Sequence, residues 1–275
     1  NKETNHKRFK IISKAKIDHD IEQFEYLASQ GYETENFTQL ALLYKKVATE
    51  INWPSETQII YLSNKYQNLI KASYNRLINK IEAPKLNQSA LNSSLNVDKI
   101  TNDYYKHDFG LTYVDNLLSP KALKSLRKFF LSSTIWFDIK KNGYLGAYLD
   151  TGLANPLIFQ IAKELKDKFP AIIKDHSIHQ IWAYKYDSRS KNESSSLSGI
   201  TVHADFAKIT INFWITPDKA NLNKDSGGLI LHNLAAPKEW HFNSYNNDEA
   251  KLREELKKSK GKKTIIKYKE NRAVL

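Results

Sequence analysis

The sequence predicts an α+β chain: a helical N-terminal region followed by short antiparallel strands, as in a sandwich or barrel such as a jelly roll. Three observations carry that expectation. Apolar residues recur at helical spacing as far as about residue 82. A stretch rich in Asn, Ser, Pro and Lys follows. From Ile178 onward the apolar runs shorten and alternate, with Gly, Pro, Ser and Asn between them. The expected organisation is a helical domain over 1–82, resembling a helical repeat without a clear repeat signature, a linker over 83–103, and a β domain with supporting helices over 104–275.

Each element has its own signal. Ile21, Phe24, Leu27 and Ala28 outline a first helix, with Gly31 at its C-cap. Leu40, Leu43, Tyr44 and Val47 outline a second, and Trp53-Pro54-Ser55 breaks the chain. The apolar residues from Ile59 to Ile81 predict a third, longer helix. Tyr113 to Leu118 reads as a strand, after which Ser119 as N-cap and Pro120 at the first helical position open a helix reaching about Ser132. A further helix runs from about Pro156 to Lys168, closed by Pro170. Ile178–Tyr186, Ile200–Ile215, Leu229–Leu231 and Thr264–Ile266 read as strands, with Lys185–Ser198 a polar loop between two of them.

Composition excludes several chemistries. Cys and Met are absent, which removes disulfides, Cys-ligated zinc, iron–sulfur clusters and thiol nucleophiles; a metal site must draw on His, Asp and Glu. No stretch approaches the ~18 uninterrupted apolar residues of a membrane span, and the N-terminus has no signal-peptide core, so a cytoplasmic location without membrane contact is expected. The net charge of +12 and pI near 9.4 raise nucleic-acid binding. The densest run, Lys257 to Lys263, lacks interleaved aromatics and reads as a solvated turn, so nucleic acid is not the favoured partner. A start at Asn1 and an end in the apolar run Ala273-Val274-Leu275 are expected of a piece of a longer chain.

The sharpest chemical feature is His203-Ala204-Asp205. Residues two apart in a strand project to the same face, so imidazole and carboxylate can reach one point, as half of a 2-His-1-carboxylate triad for Fe(II). The surrounding residues are Gly199–Phe206, Ile209–Asp218 and Ser226-Gly227-Gly228-Leu229, with Asp115–Ser119, Gln180–Asp187, Ala236–Trp240, Tyr245-Asn246 and Asn271–Leu275 around them. Over about residues 110–275 these motifs resemble the Fe(II)- and 2-oxoglutarate-dependent oxygenases, in particular members linked to helical repeats.

The resemblance implies a double-stranded β-helix (jelly-roll) oxygenase domain, incomplete at its C-terminus. It implies an Fe(II)- and 2-oxoglutarate-dependent dioxygenase that uses O2 to hydroxylate a substrate, protein or small molecule, with release of succinate and CO2. His203 and Asp205 match the first two iron ligands. Tyr186 matches a position that contacts 2-oxoglutarate, and Asn212 resembles an inward-facing polar residue near that co-substrate. The family's second His and its 2-oxoglutarate-clamping Arg would follow Leu275. His232 and His241 are alternative ligands within the chain, with His176 and His179 behind them. Trp182, Tyr184, Trp214 and Trp240 are candidates for cavity walls or simply core. The competing functions are a jelly-roll binding protein with a decayed metal site and a basic nucleic-acid-binding module.

Overall fold

The structure, a computed structural model, describes residues 7–187, 201–259 and 262–275. Most of the expected loop over 185–198, together with Gly199, Ile200 and the centre of the Lys257–Lys263 run, lies outside the described residues. Along the chain the elements are β1 (Ile11–Ile12), α1 (Lys14–Ser29), α2 (Thr34–Glu50), β2 (Ile60–Tyr61), α3 (Asn64–Ile70), α4 (Val97–Lys106), β3 (Tyr113–Val114), α5 (Pro120–Ser132), β4 (Asp138–Ile139) and β5 (Leu145–Tyr148). Then come α6 (Pro156–Lys168), α7 (Pro170–Ile173), β6 (Trp182–Lys185), β7 (Asn212–Phe213), β8 (Leu229–His232), α8 (Phe242–Asn246), α9 (Glu249–Ser259), β9 (Lys263–Ile266) and β10 (Ala273–Val274). None of the described helices is long and apolar enough to cross a membrane.

The chain forms two compact units that interleave in sequence: residues 1–83, 128–155 and 180–199 in the first, and 84–127, 156–179 and 200–275 in the second. In the first unit α1 starts at Ser13, whose side chain accepts from the Lys16 backbone N–H, and closes with Gly31 N–H on Ala28 O. The apolar faces of α1 and α2 meet through Phe24, which stacks on Phe37 at 5.9 Å and meets Tyr44 edge-on at 5.0 Å. Ile12, Ile17, Leu27, Ile70 and Tyr74 extend this core.

The expected long helix from Ile59 to Ile81 is only the seven residues of α3. Ile60 and Tyr61 instead pair antiparallel with Ile12 and Ile11. Past Ile70 the chain turns at Asn75, which holds a left-handed φ of 52°, and the Tyr74 hydroxyl donates to Ile11 O. Ile78 and Asn79 give their N–H groups to the Thr134 hydroxyl. These tertiary partners satisfy backbone groups that a helix would otherwise pair internally.

A three-stranded antiparallel sheet β4-β5-β6 completes the first unit. Its β4–β5 hairpin turns through Asn142-Gly143, Gly143 taking φ 80° and bonding its N–H to Lys140 O. An Asn-Gly pair is a strong hairpin signal that the sequence reading passed over.

The second unit holds two small sheets, antiparallel β3-β10-β7 and the β8–β9 ladder that joins Leu229 to Ile266 through His232 to Lys263. Gly228 immediately precedes that ladder, where a Cβ would lie 2.2 Å from the Ile266 carbonyl; the Gly-Gly motif meets this close approach. Ser119 caps α5 as expected, its hydroxyl accepting from Ala122 N–H and its carbonyl from Leu123 N–H. The stretch 83–103 is packed chain: Leu86, Ala90 and Leu91 are buried, Gln160 accepts from Leu86 N–H, and Glu164 accepts from Ala90 and Leu91 N–H and the Ser89 hydroxyl. Two carboxamide and carboxylate side chains of α6 thus replace a strand partner for this segment.

Asp115 and Asn116-Leu117-Leu118 meet Asn271-Arg272, bringing together the two ends of the resemblance. Arg272 forms a two-pronged pair with Asp115 at 2.6 and 3.0 Å, and Lys269 reaches the same carboxylate at 2.8 Å. Asn271 is buried with φ 58°; its carboxamide accepts from Leu118 N–H and donates to Leu118 O, while its own N–H bonds Trp214 O. Asn271→Ala strands both Leu118 groups and leaves a β-carbon in the left-handed region. Destabilisation of about 3 kcal/mol is expected, read as a lower urea midpoint at unchanged slope.

Sheets of two and three strands are what the described residues form; a closed jelly roll is not displayed among them. The expected strand from Ile200 to Ile215 is, among the described residues, only Asn212–Phe213, and that from Tyr113 to Leu118 ends at Val114. Alternation supplies a face to bury, but a ladder also needs a partner, and the backbone around His203 finds its partners elsewhere.

Candidate functional site: the His203–Asp205 pair

Ala204, between the two predicted ligands, gives its N–H to Tyr245 O at 2.7 Å and takes the Asn246 side-chain N–H on its carbonyl at 3.0 Å. Both partners belong to α8. This loop attachment, rather than a strand, fixes the backbone that carries His203 and Asp205.

The two side chains nonetheless face one point. His203 Nε2 lies 3.4 Å from Asp205 Oδ1, with the side chains 30% and 27% exposed. His203 Nδ1 lies 2.8 Å from Thr201 O. A carbonyl only accepts, so Nδ1 carries the proton and Nε2 presents its lone pair toward Asp205. The Thr210 hydroxyl donates to the other carboxylate oxygen, Oδ2, at 3.2 Å, leaving Oδ1 facing the imidazole.

In the neutral state a lone pair and an anionic oxygen confront one another, an arrangement that calls for a positive charge between or upon them. Protonation answers it: the Asp205 hydrogen bond raises the His203 pKa against the lowering effect of burial. The Asp205 carboxyl is held below its ordinary range first by the His203 hydrogen bond, with burial opposing. A divalent cation answers it equally. Two ligand atoms at about 2.1 Å from one ion and at right angles stand about 3.0 Å apart, close to the observed separation. A ring nitrogen tied to a backbone carbonyl is also the usual support of a metal-ligating histidine. The pair therefore fits two protein ligands of an iron centre.

Other expected participants lie on other elements. Asn212 lies in β7 opposite Val274 and is exposed, where the resemblance implied an inward face. Tyr186 belongs to the first unit, whereas His203, Asp205 and Asn212 belong to the second. It stacks on Tyr144 at 4.8 Å, and burial raises its hydroxyl pKa. His232 is an exposed residue of β8 opposite Lys263, and His241 precedes α8. No group of three or more His, Asp or Glu side chains suited to a metal forms among the described residues. Trp214 meets Tyr268 at 5.9 Å and Trp240 lies under Lys251 Nζ at 4.4 Å, while Trp182 and Tyr184 adjoin in β6.

Aromatic residues to which the sequence reading gave no part in the site's walls adjoin the pair. Phe206, next to Asp205 and 67% exposed, meets Phe242 at 6.2 Å and His179 at 6.0 Å, and Phe242 meets Tyr245 at 5.6 Å. No family model, curated protein or solved structure matches the chain.

Proposed function

We propose that the protein is an Fe(II)- and 2-oxoglutarate-dependent dioxygenase in which His203 and Asp205 are two of the iron ligands. The observation that carries this reading is the facing of His203 Nε2 and Asp205 Oδ1 at 3.4 Å, with the far ring nitrogen fixed by Thr201 O. The resemblance of residues 110–275 supplies the class of reaction. Iron with 2-oxoglutarate and O2 supplies oxidation of the co-substrate to succinate and CO2, coupled to hydroxylation of a substrate C–H bond.

The chain's own contribution is orientation and proton control. Thr201 sets the imidazole tautomer, Thr210 restrains the carboxylate, and Tyr245 and Asn246 hold the intervening peptide. His203 must give up its Nε2 proton to ligate a metal, so metal and proton compete at that nitrogen. Metal affinity should fall as pH drops through the raised His203 pKa. Phe206 and Phe242 offer an exposed apolar surface beside the pair.

The test uses the full natural protein. Succinate release from 2-oxoglutarate with Fe(II) is expected, and its loss in His203→Ala and in Asp205→Ala. A wild type that binds no divalent metal would overturn the proposal and favour the non-catalytic jelly-roll alternative.

A further inference from the structure

The first unit buries a second polar cluster, distinct from the proposed metal pair. Lys16 and Asp20 of α1 are 2% and 6% exposed and pair at 2.5 Å. His19 Nδ1 lies 3.0 Å from Asp20 Oδ1, and its Nε2 lies 2.9 Å from Lys185 Nζ at the end of β6. The carboxylate accepts from Nδ1–H, which leaves Nε2 as acceptor for a Lys185 N–H. The Trp136 ring lies edge-on to His19 at 6.5 Å and 5.7 Å from Lys185 Nζ. Leu145 of β5 stands opposite Lys185 in the sheet.

This is the geometry of a positioned amine: Lys185 Nζ in hydrogen-bond contact with a neutral imidazole that a buried carboxylate orients. We infer that Lys185 is a reactive amine that condenses with small carbonyl compounds, positioned by His19 and Asp20. Neutral Lys185 Nζ attacks the carbonyl carbon, forming the C–N bond as the C=O π pair takes up a proton. The first Nζ proton balances the one taken up by oxygen, giving a neutral carbinolamine; its hydroxyl then leaves with the second Nζ proton as water, giving the imine. His19 keeps one N–H directed to Nε2, so the lone pair points away from the cluster.

The surroundings favour the neutral amine. Burial lowers the Lys185 pKa to about 8, with Lys16 assisting and Asp20, Glu22 and Asp187 opposing. His19 is itself held neutral, its pKa lowered to about 3 by burial and then by Lys185, so the His19–Asp20 contact is a hydrogen bond rather than an ion pair. At pH 7.5 the neutral fraction of an amine with pKa about 8 exceeds that of a free lysine by roughly 200-fold. Weaker intrinsic nucleophilicity and partial burial reduce the expected rate advantage to about tenfold.

Propionaldehyde with cyanoborohydride traps the imine as a secondary amine, the hydride going to carbon, and peptide mass mapping reads each lysine separately. Lys185 is expected to be modified about tenfold faster than the median lysine at pH 7.5, with its rate levelling near pH 8 while the others still rise. Urea-unfolded protein should lose the preference. His19→Ala, verified as folded by circular dichroism, should lose most of the Lys185 preference, while His19→Gln, whose carboxamide oxygen can accept the same Lys185 N–H, should retain it; the levelling near pH 8, set by burial, should stay in both. Modification of Lys185 no faster than the median lysine in the native protein would overturn the inference. An undiminished Lys185 preference in folded His19→Ala, or its equal loss in His19→Gln, would overturn the role given to His19.

Discussion

Asp20→Ala should destabilise the protein by about 3–5 kcal/mol, the cost of leaving a buried ammonium without its counter-ion. Burial alone would push the Asp20 carboxyl up, but the attraction of Lys16 and the His19 hydrogen bond outweigh it and hold the pKa below the ordinary range. Removing the carboxylate strands Lys16 and also frees His19 Nδ1–H. The double change Lys16→Met with Asp20→Leu should cost far less than Asp20→Ala, since both charges leave together and apolar volume replaces them. Urea unfolding of the three proteins measures both differences. The sign in pH follows from the lowered carboxyl: its contribution is present above the ordinary carboxylate pKa and is lost as pH falls through the folded value. Wild type should therefore lose more stability in acid than Asp20→Asn. An Asp20→Ala loss under about 1 kcal/mol would contradict the burial of the pair.

The second large effect is at His203 and Asp205, the pair proposed to hold a metal. Asp205→Ala should weaken divalent-metal binding by at least about 100-fold, because even residues that only orient a ligand are worth 10–100-fold. The same site predicts a proton effect in the absence of metal. With the leading cause of the raised His203 pKa removed, burial remains, and the imidazole pKa in Asp205→Asn should drop below that of wild type. For wild type the sign is that of a raised histidine. Its contribution to stability is complete below the unfolded-state pKa and is lost as pH rises through the folded value. Asp205→Asn should flatten that dependence, read from thermal midpoints on either side of neutrality.

Much of the helical structure was legible because each helix carries its own signals. The stripe of Ile21, Phe24 and Leu27, the Ser119-Pro120 start and the Pro156–Lys168 segment all appear as expected, bounded by local capping. The long helix from Ile59 failed because Ile60, Tyr61, Ile78 and Asn79 have better partners far away in sequence, which periodicity cannot register. The β4–β5 hairpin was available in Asn142-Gly143. The alternating run through His203 names a face but not a partner strand, so its loop attachment to Tyr245 and Asn246 was beyond local reading.

The site divides the same way. His-x-Asp was visible as spacing, and the two side chains do face one point, although from a loop. The Lys16–Asp20–His19–Lys185 cluster left one trace: polar residues at i and i+4 beside the apolar stripe of α1, a pattern that ordinarily marks the solvated face of a helix. Its fourth member comes from β6, and only the tertiary fold brings it there.

The pairing of His203 with Asp205 as metal ligands is tested most directly by histidine NMR with Mn(II) as a paramagnetic stand-in for Fe(II). The resonances of His203 should report an Nδ1-protonated ring and should broaden selectively on Mn(II) addition above its raised pKa. That broadening should vanish below the pKa and in Asp205→Asn. A His203 that titrates undisturbed while Mn(II) broadens other residues, or none, would contradict the assignment.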